Sequence, residues 1–158
     1  MTWTGDGSSV RQISHNLGSV PGAVLVKCRT SSSQWLMGHR GRPSVVFQLN
    51  TNLAEVSTYS KGYLHANDFT DTTFTVRGAT NANDVNRNEG TFVAYVFAHN
   101  DGDGEFGPTG DQDIIKCGSY TGDGAIDGPE VNLGFEPQWL LIKRSDAAGD
   151  WRVVDVMR

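Results

Sequence analysis

The sequence predicts an all-β protein: an antiparallel β-sandwich of jelly-roll-like type that carries a partial second repeat. Three observations lead to this prediction. The composition is rich in Gly, Asn, Asp, Ser and Thr and poor in Leu, Glu and Lys, which is typical of strands joined by turns. Short apolar runs of branched and aromatic residues alternate with polar, turn-forming segments. Finally, one series of motifs occurs twice along the chain.

Two segments of the chain repeat each other in motif order and almost in spacing. The shared series is Thr-Gly-Asp-Gly, Asn-Leu-Gly, a proline, an apolar run that ends in lysine, and a tryptophan. The matched positions are 4–7 with 121–124, 16–18 with 132–134, Pro21 with Pro137, Lys27 with Lys143, and Trp35 with Trp151. Repetition of a whole supersecondary unit is typical of modular structural proteins.

The repeat defines the expected domain organisation. Residues 1–100 are predicted to form a complete β-sandwich module, because a long series of strand patterns follows the first copy of the motifs. Residues 101–112 are rich in Gly and Asp and are predicted to be a linker. Residues 113–158 are predicted to be a truncated second repeat that docks on the first module or on another chain, since open strand edges recruit other strands.

Five segments of the first module are predicted to be strands: 22–28, 34–39, 44–49, 73–76 and 91–98. The run GAVLVKC at 22–28 is short, apolar and rich in branched residues, which favours a strand buried on both faces. The segment 34–39 follows it across a polar turn as a hairpin partner. Because 91–98 carries bulky residues on both faces, it is expected at the centre of a sheet.

The remaining segments are assigned by the same reasoning. Residues 50–58 are the only place where a short helix is expected. In the second repeat, residues 138–143 and 151–157 repeat the hairpin design, and 114–116 is expected to add a strand. The turns at 4–7 and 121–124 should place Gly7 and Gly124 at positive φ, which glycine adopts at little cost.

The charge balance excludes two classes of partner. The chain has 13 basic and 18 acidic residues, and no segment concentrates Lys and Arg. Binding to phosphate groups needs a basic surface, so neither nucleic acid nor an anionic membrane is an expected partner. The apolar runs are also far too short to span a bilayer, so no membrane insertion is expected.

Two patterns in the linker resemble ligand-binding motifs, one for a dinucleotide and one for calcium. Residues 102–107 match the dinucleotide fingerprint G-x-G-x-x-G, but the helix that must follow it is absent from the pattern. Asp101, Asp103 and Glu105 alternate like calcium ligands, and they are weak metal candidates because Gln112 stands where an EF-hand needs glutamate. No cofactor is therefore predicted, and the acidic linker is interpreted as solvated.

No catalytic residues are predicted, and the chain is expected not to be an enzyme. The sequence contains no nucleophile elbow and no framed pair of carboxylates, and its four histidines are dispersed. His99 is expected at the surface. Cys28 and Cys117 are too few for a zinc site and are predicted to be free thiols, with Cys28 near an exposed strand end because it aligns with Arg144.

Aromatic residues provide the candidate contact sites. Trp3, Tyr120 and Trp139 are candidates for contact with a glycan or a protein partner, because exposed aromatic rings stack on sugars. Trp35 and Trp151 occupy matched strand positions, where core packing is the commoner use of a large aromatic side chain. A carbohydrate-binding module that uses exposed aromatics is therefore an alternative function.

The motif series resembles a known family. The order TGDG, HNLG, VLVK, W, LNT and GTFVAYVFA, followed by a second TGDG and GFEPQWLLIKR, resembles a tandem β module of tailed-bacteriophage virion proteins. Such modules occur in tail fibres or appendages, especially of marine phages. The resemblance implies a non-enzymatic structural or adhesive module, made in the host cytoplasm and located in the virion. It would act in assembly or host attachment.

The resemblance also implies partners. It predicts self-association into a homo-oligomer, with a trimer expected because fibres that resemble this family are commonly trimeric. Other virion proteins and a host-surface glycan are the remaining expected partners.

Overall fold

The chain folds as an antiparallel β protein in a computed structural model that describes residues 1–57, 63–78, 85–100, 109 and 112–156. The described residues form ten strands and one 3-10 turn at Ala66–Asp68. The strands are β1 Thr2–Thr4, β2 Val10–Ser14, β3 Ala23–Cys28, β4 Leu36–His39, β5 Val45–Gln48, β6 Val56–Ser57, β7 Thr73–Arg77, β8 Thr91–Phe97, β9 Trp139–Ile142 and β10 Arg152–Asp155.

The first module is built on a six-stranded antiparallel sheet with the order β1-β8-β3-β4-β5-β6. Its longest pairing joins β3 to β8 over six positions, from Ala23 opposite Phe97 to Cys28 opposite Phe92. β8 has a neighbouring strand on each side, as predicted for 91–98. The side chains of β3 are buried or half-buried on both faces, as predicted for 22–28. All five strands predicted for this module are present.

A second layer of two strands, β2 and β7, covers one face of the large sheet. Phe74 and Val76 of β7 pack in one buried cluster with Val24, Val26 and Phe92 of the large sheet. Alternate residues of β3 point to this cluster, because successive side chains of a strand point to opposite faces. The predicted all-β, sandwich-like antiparallel fold is thus confirmed, with six strands in one sheet and two in the facing one.

The opposite face of the large sheet carries a smaller cluster of Ala23, Met37 and Phe47. Two side chains of the second repeat, Cys117 and Trp151, pack against this cluster. The second repeat therefore contacts the face of the first module that the β2–β7 layer does not cover.

The hairpin β9–β10 repeats the hairpin β3–β4 in register. Trp151 follows Trp35 by 116 residues, and the same offset carries each pair of the first hairpin onto a pair of the second. The corresponding pairs are Ala23–His39 with Trp139–Asp155, Val24–Gly38 with Leu140–Val154, Leu25–Met37 with Leu141–Val153, and Val26–Leu36 with Ile142–Arg152. The two copies of the sequence motifs therefore form hairpins in which matched residues pair with each other in the same way.

The Thr-Gly-Asp-Gly turns also correspond. Gly7 has a φ of 71° and Gly124 a φ of 75°, so both predicted positive-φ positions are confirmed. Asp6 Oδ1 accepts the Ser8 backbone N–H at 2.9 Å, and Asp123 Oδ1 accepts that of Ala125 at the same distance. These bonds to the N–H two residues further along stabilise the turn and explain why an aspartate suits this position.

The short helix expected at 50–58 is wrong for the described residues 50–57, which form turns and β6. Polar side chains there bond to nearby backbone groups and compete with a helix. Asn50 Oδ1 accepts the Trp35 N–H at 3.0 Å, and the Thr51 hydroxyl lies 3.3 Å from the Gln48 carbonyl. The strand expected at 114–116 is also absent.

Two expectations of exposure are wrong. Cys28 is buried in the core cluster, where its sulfur lies 3.1 Å from the Ser31 hydroxyl. The comparison with Arg144 was misleading because, in the described part of the chain, no layer covers β9 as β2 and β7 cover β3. The side chain of Arg144 is therefore exposed to solvent. His99 is also buried, because the second repeat packs over the end of β8.

Candidate functional site

Trp3 is a core residue, and its prediction as a glycan or partner contact is wrong. Only 9% of its surface is exposed. Its ring stacks on Phe92 at a centroid distance of 5.2 Å and meets Phe74 edge-on at 5.9 Å. A side chain held between two sheets in this way cannot stack on a sugar.

Tyr120 and Trp139 are exposed, at 55% and 56% of their surfaces. The repeat gives a structural reason for this. Tyr120 aligns with Trp3, whose partners Phe74 and Phe92 lie on β7 and β8, and the described part of the second repeat has no such strands. Exposure of the Tyr120 ring is therefore explained by the lack of covering strands among the described residues and does not by itself indicate a ligand.

The metal candidates Asp101, Asp103 and Glu105 lie outside the described residues. Among the residues that the structure does describe, no group of three His, Cys, Asp or Glu side chains is arranged to hold a metal ion. In the same part of the chain, no helix is long and apolar enough to cross a bilayer.

An open groove of about 540 Å³ lies on the outer face of the large sheet. It is lined by Leu25, Trp35, Leu49, Asn50, Tyr95 and Phe97. Three of these six residues are aromatic, and the groove adjoins the cluster on which the second repeat docks, because Leu25, Leu49 and Phe97 belong to both.

Two aromatic rings form the exposed part of this groove. Trp35 and Tyr95 lie with centroids 6.2 Å apart and planes 30° apart, and 52% of the Tyr95 surface is exposed. The Asn50 side chain fixes the backbone beside them by accepting the Trp35 N–H and donating to Gln34 Oε1. Aromatic faces beside amide groups can stack on a sugar ring and hydrogen-bond to its hydroxyls.

The sequence did not predict this groove. Trp35 was expected in the core, but it is only half-buried, and Tyr95 was assigned only to a strand at the centre of a sheet. The available signal was the spacing of Tyr95 and Phe97, which lie two residues apart and so on one face of β8.

Trp151 anchors the second repeat to the first module. Its indole N–H donates to the Gln48 carbonyl oxygen at 3.2 Å, and its ring meets Phe47 edge-on at 6.1 Å. Two backbone hydrogen bonds join the same hairpin to the segment after β5: Glu55 N–H to Ser145 O at 3.0 Å, and Gly149 N–H to Asn52 O at 2.8 Å. Trp151 was expected in a core, and it is half-buried at this contact.

A second anchor lies at the end of β8. The fully buried Asn100 accepts the N–H groups of Ile114 and Ile115 with its side-chain oxygen, both at 3.1 Å. Its own N–H donates to Ile115 O at 2.9 Å. The predicted docking of residues 113–158 on the first module is therefore present within the chain.

Cys117 fills the space beside Gly22. A Cβ atom on Gly22 would lie 2.6 Å from the Cys117 sulfur, so only glycine allows this approach. Burial raises the pKa of the Cys117 thiol to about 11, so it is protonated at neutral pH. Both cysteines are free thiols, as the sequence suggested.

His99, which contacts Cys117, and the nearby His39 both accept backbone hydrogen bonds. His99 Nδ1 accepts the Cys117 N–H at 3.0 Å, and His39 Nδ1 accepts the Gly41 N–H at 3.1 Å. Each ring must be unprotonated at Nδ1 to accept. Burial lowers the pKa of His39, and the nearby His99 and Arg40 lower it further.

Comparison with known proteins gives one result. The sequence matches a domain of unknown function, DUF7483, along residues 1–158. No curated protein and no solved structure matches the chain. Because the match runs along the whole sequence, the chain belongs to the DUF7483 family.

Proposed function

We propose that this chain is a non-enzymatic structural module of a tailed-phage virion, in a tail fibre, an appendage or a capsid-surface protein. The observation that carries the proposal is the register match between β3–β4 and β9–β10, combined with the docking of the second hairpin on the first module. Repeated units that bury surface against their neighbours are the basis of modular scaffolds. The resemblance of the motif series to virion modules supplies the virion location.

The proposed role in assembly is supported by exposed apolar surface. Trp139, Leu141 and Val153 share one face of the β9–β10 hairpin, and all three are exposed. A contiguous apolar face on a sheet with free edges favours association. We propose that this face joins copies of the chain into a homo-oligomer, a trimer by the resemblance, and joins that oligomer to other virion proteins.

The assembly role is tested by placing a charge on that face. Val153→Asp should weaken self-association at least tenfold in analytical ultracentrifugation, because a buried, unpaired carboxylate is costly. Val20→Asp is the matched control, since Val20 is exposed on a loop of the first module. Equal association of both variants and the unmodified chain would contradict the role of this face.

A carbohydrate-binding module is the second candidate function, and the Trp35–Tyr95 groove is the observation that favours it. In this reading the adhesive surface is the groove and not the Trp3, Tyr120 and Trp139 set. Glycan binding should fall about fivefold or more in Tyr95→Ala, because stacking contributes about 1 kcal/mol. Tyr120→Ala is the control of similar exposure, and binding that follows Tyr120 would contradict this assignment.

A further inference from the structure

One edge of the second hairpin lacks the neighbour that its counterpart has. In the first module, β3 pairs with β4 on one side and with β8 on the other. β9 corresponds to β3 and pairs with β10 in the same register. Among the residues that the structure describes, no strand pairs with the other edge of β9.

Matched residues of the two repeats differ in exposure, and those of the second repeat are the more exposed. Met37 is 9% exposed in the first module, whereas its counterpart Val153 is 69% exposed. Val24 is fully buried, whereas its counterpart Leu140 is half-buried. These apolar side chains are spaced for a sheet covered on both faces, so the second repeat has the pattern of a core strand without the contacts of one.

We infer that the open edge of β9 binds an antiparallel strand of the Thr91–Ala98 type. The β3–β8 pairing fixes the register, since Leu25 lies opposite Tyr95 and Lys27 opposite Val93. Transferred by the repeat, the incoming residue equivalent to Tyr95 lies opposite Leu141, and the one equivalent to Val93 lies opposite Lys143. Main-chain hydrogen bonds then provide affinity, and the alternating side chains provide the register.

The strand comes from a further repeat unit. β8 itself is not available in this chain or in a second copy, because β1 and β3 already occupy its two edges. The partner is therefore a β module that offers a free strand with the pattern T-F-V-A-Y-V-F-A. This inference concerns a strand edge of the hairpin and holds whether or not the protein belongs to a virion.

A synthetic peptide tests the edge directly. The probe carries residues 90–99 of this chain with lysines added at both ends for solubility, and a scrambled peptide of the same composition is the control. We expect saturable binding that changes the fluorescence of Trp139, because the residue equivalent to Phe97 would lie opposite it. Absence of binding, or equal binding of the scrambled peptide, would overturn the inference.

Cross-linking tests the register. Leu141→Cys is mixed with peptides that carry a cysteine at the position of Tyr95, Val96 or Val93, and mass spectrometry identifies the joined residues. The peptide with cysteine at the Tyr95 position should cross-link at least tenfold faster than the other two. Val153→Cys on β10 is the matched control and should not share this preference. Equal rates for all three peptides would overturn the predicted register.

Discussion

Gly7 shows how a single residue supports the Thr-Gly-Asp-Gly turn. Its φ of 71° lies in the left-handed region, and a Cβ atom there would lie 3.1 Å from the Asn88 Cβ. The neighbouring Asp6 accepts hydrogen bonds from Ser8 and Asn86, which hold its pKa at about 2. The turn thus links the start of the first module, at Asp6, to the segment before β8, at Asn86.

Gly7→Val should destabilise the first module by about 2 kcal/mol, because a β-branched residue is strained at positive φ. Urea unfolding followed by circular dichroism measures the loss as a lower midpoint. Gly122→Val is the matched control, since a Cβ atom there meets nothing within 4 Å and its φ is not in the left-handed region. Equal midpoints for both variants would show that the turn is not structurally required.

Trp3 carries the second residue-scale prediction. Trp3→Ala should cost about 3–5 kcal/mol in unfolding free energy, because it removes a core ring that contacts two others. Tyr120→Ala, at the matched position of the second repeat, should change stability by less than about 0.5 kcal/mol because its ring is exposed. If both variants lost a similar unfolding free energy, the assignment of Trp3 to the core and of Tyr120 to the surface would be contradicted.

His39 makes stability depend on pH. Its pKa is lowered in the folded protein, so the unfolded chain binds a proton first as the pH falls. The contribution of His39 to stability is therefore complete above its ordinary value of 6.5 and is lost as the pH falls from there towards the lower folded pKa. Unfolding free energies at pH 7.5 and 5.5 should differ less in His39→Asn than in the unmodified protein. An unchanged slope in that variant would contradict the prediction.

At the scale of elements, the contact between the second hairpin and β5 depends on Trp151. Trp151→Ala removes both the ring contact with Phe47 and the hydrogen bond to Gln48. Hydrogen exchange at the Glu55 and Gly149 amides should then become at least tenfold faster, because these amides bond across the same contact.

Trp151→Phe separates the two contributions. It keeps an aromatic ring for Phe47 but loses the indole N–H, so exchange at the two amides should be intermediate. Unchanged exchange in Trp151→Ala would show that other contacts hold the hairpin in place.

The elements also show what the sequence could and could not predict. Strands such as β3 and β8 are runs of branched and aromatic residues, so their pattern alone identified them. β2 was missed because its sequence VRQIS has only two apolar residues, and β1 because it has three residues in all. Burial of His99 depends on a contact with Cys117, which is distant in sequence and leaves no local signal.

The candidate site was harder to predict than the fold for the same reason. Trp35, Asn50 and Tyr95 are separated along the chain and meet only through the order of β8, β3, β4 and β5. Residue type could not predict that Trp3 is buried and Tyr120 exposed. Both are large aromatic residues at matched positions, and their exposure depends on whether other strands cover them.

At the scale of the whole molecule, the chain is a sandwich module that carries a docked second hairpin with an exposed apolar face. Trp139, Leu141 and Val153 lie exposed on that face. We propose that this face is the surface through which the molecule assembles with other copies of the chain.

The solution mass of the unmodified chain tests this account most directly. Light scattering over a range of concentrations should report more than one chain per particle, and a mass three times that of the 17.1 kDa chain would match a trimer. Deletion of residues 113–158 should weaken assembly while the first module stays folded. A monodisperse monomer at every concentration, with the amides of β9 already protected from exchange, would contradict the account.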